Sequence, residues 1–380
     1  MNKNVKENID KSLIKFRKAL VKDIPGLLEV ENHAFSYDQL SRRNFHWMIK
    51  HAQSIFQVIV YDGQIIGYGL VLLNRGTSLA RLYSIALLKK FQGLGLASRL
   101  LLTLEELAEA KNFAYLRLEV KKNNKSAIKL YKKLGYIKFD EKPEYYEDGA
   151  TAYCFEKRIK VLKKPQLLKI PYYEQQTAFT CGPACLMMAM QSLRPKKYEM
   201  SLKEEMQIWR EATTIFMTSG HGGCGPRGLA LSAWKRNFNA EIYLSQSDPM
   251  FSDSVRDEGK KKVIELVHED FKDRLTKTEI EVHKKQFNLN DLKAVLKEGG
   301  VPIVLITTYH FDDKNTPHWV IVTAYDDGFV YIHDPDWPDE HEGGFSRVHI
   351  PIPEDQFLKI SKWGSRSRKK ISATVVVFAK

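Results

Sequence analysis

Between residues 12 and 160, apolar segments of strand period alternate with segments of helical period. Beyond residue 170 that alternation gives way to helices first and strands later. Alternation builds an α/β sandwich, whereas segregated helices and strands build an α+β domain. One chain of 380 residues therefore reads as two folds: a domain over 12–160, a charged linker over 161–170 (VLKKPQLLKI), and a second domain over 171–380. In the first, strands are expected at Phe16–Leu20, Phe56–Tyr61, Ile65–Leu73, Ala80–Leu87, Tyr115–Val120 and Thr151–Ile159. Helices are expected at Asp23–Phe35, Gly95–Lys111 and Lys125–Leu134, with Asp62-Gly63 as a hairpin turn. In the second, helical spacing marks Cys181–Leu193, Leu202–Ala212, Gly228–Phe238, Lys260–Thr276 and Leu289–Glu298. Strands follow at Ile303–Thr308, Trp319–Tyr325, Phe329–His333 and Val375–Phe378, and Gly220–Gly228 reads as a glycine-rich loop.

Several function classes are set aside by the same sequence. The longest apolar runs, such as Ala373–Ala379, fall far short of the roughly 20 residues a membrane helix needs. The polar N-terminus leads into no apolar signal region, so a cytoplasmic location is expected. The balance is basic, 59 Lys+Arg against 46 Asp+Glu. The lysines are spread along the chain with no nucleic-acid-binding signature beside them, so no specific nucleic-acid partner is expected. Four cysteines are too few for a disulfide scaffold. The spacings of Cys181 with Cys185 and of His221 with Cys224 admit a four-ligand zinc site. Neither pair forms a Cys-x-x-Cys knuckle and Cys181 has a stronger explanation, so no metal is assigned.

A glycine-rich turn, Phe91-Gln92-Gly93-Leu94-Gly95-Leu96-Ala97, sits between an apolar strand and a long amphipathic helix. Glycines let the backbone approach a ligand, and the unpaired N–H groups of a helix's first turn suit a pyrophosphate. Gln92-x-x-Gly95-x-Ala97, following Leu82-Tyr83-Ser84-Ile85-Ala86-Leu87, resembles the acetyl-CoA motif of the GNAT acetyltransferase superfamily. The stretch from Leu118-Glu119-Val120 through Asn124 and Tyr131 to Gly135-Tyr136 is similar to the branch that acetylates protein N-termini, the ribosomal-protein alanine acetyltransferases. Pro143-Glu144-Tyr145-Tyr146 matches that branch's substrate-side tyrosine pair. The resemblance implies a GNAT fold, a mixed sheet flanked by helices, with acetyl-CoA as cofactor. It implies that Ile85 and Leu87 hold the pantetheine arm by their backbones and that Gln92, Gly93, Leu94, Gly95, Leu96, Ala97 and Ser98 form the pyrophosphate turn. Asn124 would touch the cofactor, Glu119 would act as general base on an incoming amine, and Tyr131 would protonate the departing thiolate. Ala97 departs from the commoner glycine.

The second half opens with Gln175, six residues before Cys181-Gly182-Pro183-Ala184 at the start of an apolar helix. The helix N-terminus favours a thiolate at Cys181. A Gln175 amide can join the Cys181 N–H in an oxyanion hole. His318 starts an apolar strand, and Asp334 ends the next one, sixteen residues on. Antiparallel neighbours would bring them side by side as base and orienting carboxylate. The order Gln, Cys, His, Asp looks like the papain-like peptidases that cleave double-glycine leader peptides and their stand-alone relatives. It implies an α+β papain-like cysteine peptidase domain. Together the halves imply a bifunctional enzyme acting on a peptide or protein: an N-acetyltransferase and a Cys-His-Asp thiol peptidase. The alternatives are that one half only binds CoA or peptide, or that the thiol domain is an acyltransferase or amidase.

Overall fold

The computed structural model describes residues 9–160, 167–216, 221–246, 249–250, 255–308, 316–326, 328–336, 347–364 and 370–380. The chain divides into two compact units, Met1–Leu162 and Lys163–Lys380.

The first unit runs β1 (Ile14–Lys18), α1 (Ile24–Ala34), α2 (Arg42–Lys50), β2 (Ser54–Tyr61), β3 (Gln64–Leu73), β4 (Leu79–Leu87), α3 (Leu96–Glu109), β5 (Tyr115–Lys121), α4 (Lys125–Lys133), β6 (Ile137–Lys142) and β7 (Ala152–Arg158). Its sheet has the order β1-β2-β3-β4-β5-β7-β6. All pairs are antiparallel except β4–β5. Asp62 and Gly63 both take positive φ, 45° and 78°, as a two-residue turn of type I′ requires. Alternate residues of β2 face two layers. Ile55 and Ile59 pack with Leu100, Leu101 and Leu104 of α3, while Phe56 and Val58 pack with Leu27 and Val30 of α1 and Phe45 of α2.

Three details differ from the sequence expectation. β1 starts two residues early, at Ile14. Helix α2 was not expected. Its signal is the reciprocal cap between Ser41 and Asn44, with Phe45 and Met48 three apart on the buried side. Strand β6 was also missed, because nearly all of its residues are exposed and no apolar alternation marks it.

The β4–β5 ladder pairs only Leu79 with Tyr115 through Arg81 with Arg117, although the strands continue to Leu87 and Lys121. Beyond Arg81 the two strands splay apart. The Leu88 N–H donates to the Ile66 carbonyl on β3 (2.9 Å). By alternation, Ile85 and Leu87 then turn their backbone groups towards the splay.

The second unit contains α5 (Cys181–Leu193), α6 (Leu202–Ala212), α7 (Pro226–Lys235), β8 (Phe238–Leu244), α8 (Glu258–Leu275), β9 (Glu281–His283), α9 (Leu289–Lys297), β10 (Val301–Thr307), β11 (Pro317–Asp326), β12 (Phe329–His333), β13 (Ile350–Pro353), α10 (Glu354–Ile360) and β14 (Ala373–Ala379). The sheet order is β13-β12-β11-β10-β14-β8-β9, antiparallel except for β8–β9. The helix expected over Gly228–Phe238 starts earlier and stops at Lys235. Asn237, at φ 65°, turns the chain, and Phe238 opens a strand instead. Strands therefore do not all follow the helices. β9, β13 and α10 are too short to show a period.

Helix α5 is buried along Cys181–Met190 and packs against β11 and α7 through Leu186, Leu229, Trp319 and Ile321. The β11–β12 pairing shifts register between Val322 and Ala324, so Thr323 is an extra residue. Its carbonyl accepts the Leu168 N–H (2.8 Å). Of the expected linker, residues 161–166 lie outside the described residues, while Leu168 and Ile170 pack into this unit's core. The Ile170 carbonyl meets His333 Nε2 (3.1 Å), the Tyr172 hydroxyl donates to the Asp334 carbonyl (3.0 Å), and the Gln175 N–H donates to the Pro335 carbonyl (2.8 Å). Among the described residues, no helix is long and apolar enough to cross a membrane.

Candidate active sites

Cys181 is the first residue of α5, whose N-cap residue Thr180 makes no side-chain capping bond. The first-turn amides are thus left for another acceptor. Cys181 keeps 9% of its surface exposed, against 0% for Cys185, 2% for Cys224 and 1% for Cys154, so a reagent reaches it most readily. Burial pushes the Cys185 and Cys224 thiols well up and the Cys154 thiol up to about 12. Cys185 Sγ donates to the Trp319 carbonyl (3.4 Å), a core contact.

His318 Nε2 lies 2.7 Å from Asp334 Oδ1. This leaves Nδ1 for the Cys181 sulfur, with which the ring also interacts. Burial disfavours the imidazolium. The Asp334 carboxylate and then the Cys181 sulfur outweigh that and hold His318 well above its usual value. Burial likewise opposes the Asp334 charge, but His318 and Arg347, whose Nη1 is 3.5 Å from Oδ2, bring it down to about 2. The Asp336 N–H donates to Oδ1 as well (2.9 Å).

A pH prediction follows from these two shifts. The lowered Asp334 contributes stability above its unfolded value of 3.8 and loses it as pH falls through about 2. The raised His318 contributes fully below its unfolded value of 6.5 and loses it as pH rises through its higher folded value. The urea midpoint of Asp334→Asn should fall furthest below wild type between about pH 4 and 6.5. A gap unchanged from pH 4 to 10 would contradict the ion pair.

Gln175 is 2% exposed. Its Nε2 donates to Asp336 Oδ1 (3.2 Å), and among the described residues its Oε1 has no partner. The turn carrying Asp334 holds this amide, and no hydrogen bond joins it to Cys181 among the described residues. Sequence reasoning missed Asp336 and Arg347, which brace the Asp334 carboxylate, and Tyr172, whose hydroxyl holds the Asp334 backbone carbonyl; no motif marks them. Of the glycine-rich loop, Gly220 lies outside the described residues. His221 stacks near Phe179 and Trp209 (centroids 4.9 and 5.8 Å), and the Gly222 carbonyl accepts Trp209 Nε1 (2.8 Å). A Cβ on Gly182 would sit 3.3 Å from Cys224 Cβ, so the loop's end borders the thiol. Among the described residues no group of three or more His, Cys, Asp or Glu is arranged to hold a metal.

In the first unit, Gly93 and Gly95 take φ of 80° and 79°, and Gly95 is the N-cap of α3 with no side-chain cap. The amides of Leu96, Ala97 and Ser98 follow it in the helix's first turn. A Cβ at Gly95 would meet nothing within 4 Å, so the space over the turn is open. With the splay beside Ile85 and Leu87, this cradle fits an elongated pyrophosphate-bearing cofactor. Leu94 packs at the edge of the core. Gln92 Nε2 donates to the Leu87 carbonyl (3.0 Å). Asn124 caps α4, its Oδ1 accepting both the Ala127 N–H (3.1 Å) and the Ser126 hydroxyl (3.0 Å), so its amide nitrogen is what remains for a ligand.

Tyr131 on α4 is 5% exposed and packs edge-on to Tyr136 (5.7 Å). Burial pushes its phenol up, so it keeps its proton at neutral pH. Glu119 on β5 is not a free carboxylate. Arg81 Nε lies 2.9 Å from its Oε2 and Lys142 Nζ 3.8 Å from its Oε1. Arg81 Nη2 also donates to the Tyr145 hydroxyl (2.6 Å). The Arg81 and Glu119 side chains are 6% and 7% exposed. Arg81→Met should therefore destabilise the protein by about 3 kcal/mol, measured by urea unfolding, because it leaves the buried Glu119 carboxylate only the longer Lys142 contact. A change below about 1 kcal/mol would mean that solvent reaches Glu119.

Residues 170–378 match the family described as Peptidase_C39 like, and residues 22–136 match the acetyltransferase (GNAT) family. An uncharacterized N-acetyltransferase of Methanocaldococcus jannaschii is 32% identical over 157 residues, 40% of this chain and 97% of that protein. An N-alpha-acetyltransferase of Sulfurisphaera tokodaii is 27% identical over 153 residues, 37% of this chain and 89% of that protein. Among solved structures, a ribosomal-protein-alanine N-acetyltransferase from Brucella melitensis aligns with a TM-score of 0.35 and 19% identity, over 38% of this chain and 99% of its own.

Proposed function

The chain belongs to the Peptidase_C39-like family and carries a GNAT acetyltransferase domain ahead of that region, and from this premise we propose a bifunctional enzyme that processes peptides or proteins. Acetyl-CoA is the cofactor of the GNAT family and supplies an activated acetyl group when bound. The first unit would acetylate an amine, and the second would cleave a peptide bond. The observation that carries the thiol half is the 2.7 Å contact of His318 Nε2 with Asp334, with Cys181 on the ring's other side.

In this reading the Cys181 thiolate attacks the scissile carbonyl and forms a C–S bond. The His318 imidazolium gives its proton to the departing amine as the C–N bond breaks. The Cys181 N–H and the second N–H of Gln175 Nε2 would receive the oxyanion. Water, deprotonated by His318, then releases the acid and regenerates the thiol. In the first unit Ile85, Leu87 and the Gln92–Ser98 turn would hold the cofactor, with Asn124 at its flank. Tyr131 would donate a proton to the leaving sulfur. Glu119, already held by two cations, would accept the amine's proton through water rather than by direct contact.

Mass spectrometry of a peptide library incubated with acetyl-CoA tests this. Wild type should give products cut and products heavier by one acetyl group. Cys181→Ala should lose only the first, and Glu119→Ala only the second. Loss of both signals in either variant, with the fold intact, would refute two separate sites.

A further inference from the structure

Three consecutive residues after β12 reach both sides of the thiol site. The Asp336 N–H donates to Asp334 Oδ1 (2.9 Å), the same oxygen that meets His318. The Pro335 carbonyl accepts the Gln175 N–H (2.8 Å), and Asp336 Oδ1 accepts Gln175 Nε2 (3.2 Å). One short segment therefore sets the carboxylate behind the imidazole and the amide on the chain leading into the thiol helix.

The Gln175 amide carries a second observation. Its side chain is buried, yet among the described residues Oε1 has no partner. A buried acceptor left unpaired is unfavourable, so nothing at Oε1 holds the amide in this orientation. The bond from Nε2 to Asp336 does. Turning the amide over would set Oε1 against the Asp336 carboxylate, which accepts hydrogen bonds and donates none. A primary amide has two N–H groups, and Asp336 takes one of them.

We propose that Asp336 is a positioning residue for the oxyanion hole. By holding one N–H of Gln175 Nε2, it presents the other N–H, and not Oε1, to the negative oxygen that forms when Cys181 attacks a carbonyl. This rests on the thiol chemistry proposed for Cys181. Without the Asp336 carboxylate the amide is free to turn, and an Oε1 aimed at the oxyanion repels the charge that an N–H would stabilise.

Two reagents that react at the same sulfur test this in the full chain. p-Nitrophenyl acetate acylates Cys181: a C–S bond forms at the carbonyl, the carbonyl oxygen takes the negative charge, and p-nitrophenolate leaves as the C–O bond breaks. Iodoacetamide alkylates Cys181: a C–S bond forms, iodide leaves, and no oxyanion appears. Cys181→Ala gives the background for both. Asp336→Ala keeps the main-chain N–H on Asp334, so alkylation should stay within about twofold of wild type while acylation falls about tenfold or more. Gln175→Ala should lower acylation similarly, and adding Asp336→Ala to it should lower acylation no further. Asp336→Asn, which can accept from Nε2 or donate to Oε1, should fall between wild type and Asp336→Ala. If Asp336→Ala does not fold, the ratio of acylation to alkylation in Asp336→Asn still decides. Equal loss of acylation and alkylation would place Asp336 behind His318 alone, and unchanged acylation would mean that something else holds the amide; either overturns the proposal. A Cys181 that reacts with neither reagent overturns the thiol chemistry itself, and this inference with it, so the two failures are told apart.

Discussion

Cys181→Ala should abolish peptide-bond cleavage, and His318→Ala should lower it by roughly 10⁴-fold, because a nucleophile and its base act as one unit. Brief treatment of the folded wild type with iodoacetamide near neutral pH should label Cys181 first. Cys185, Cys224 and Cys154 lie deeper, and burial holds their thiols protonated. His318→Ala should slow that labelling at pH 6–7 by about tenfold or more, since the imidazolium that favours a thiolate is gone. Peptide mapping reads both effects. Labelling of Cys224 ahead of Cys181 would remove the nucleophile from the account.

The second large effect is on the cofactor. Acetyl-CoA should raise the melting temperature of the protein by mass action, and Gly95→Trp should abolish the shift. Two causes add. Gly95 takes φ 79°, where any side chain is strained, and its Cβ direction opens onto the space above the α3 amides. An indole there would cover the amides without touching the core. Affinity should fall by at least about 100-fold with the urea midpoint changed by far less, as isothermal titration and urea unfolding can show. Binding of acetyl-CoA by Gly95→Trp at wild-type affinity would place the cofactor elsewhere.

Much of this architecture could be read from residue order. The apolar stripe Leu96, Leu100, Leu101, Leu104 is long enough to declare α3, and Cys181–Leu193 declares α5. The thiol, the imidazole and the carboxylate were visible because each stands at the end of an element, where a periodic apolar run meets a polar residue. What stayed hidden depends on distant partners. Arg81 and Glu119 are 38 residues apart, and each alone looks like a charge at a strand end; their pairing comes from the parallel β4–β5 contact. The brace on Asp334 from Tyr172 spans 162 residues. Strand β6 has almost no buried face, so its sequence carries no trace of its position. Ser41 and Asn44 did carry a legible cap, which the absence of a long apolar run behind it obscured.

The extra residue at Thr323 settles a matter of odd and even numbers. With the bulge, Ile321 stands opposite His333, so the next step places Val320 opposite Asp334. His318 is two residues from Val320 and shares its side of the ribbon. In an uninterrupted hairpin continued from Asp326 and Phe329, Asp334 would instead stand opposite Ile321, three residues from His318 and on the reverse side. Drawing Thr323 into the ladder opposite Ile332 would change no atom of the thiol, the ring or the carboxylate. It would nevertheless turn the ring and the carboxylate to opposite sides of the ribbon. The facing of the two groups therefore depends on Thr323 staying outside the ladder. The Leu168 N–H, seated on the Thr323 carbonyl, holds that bulge from the segment where the second unit begins.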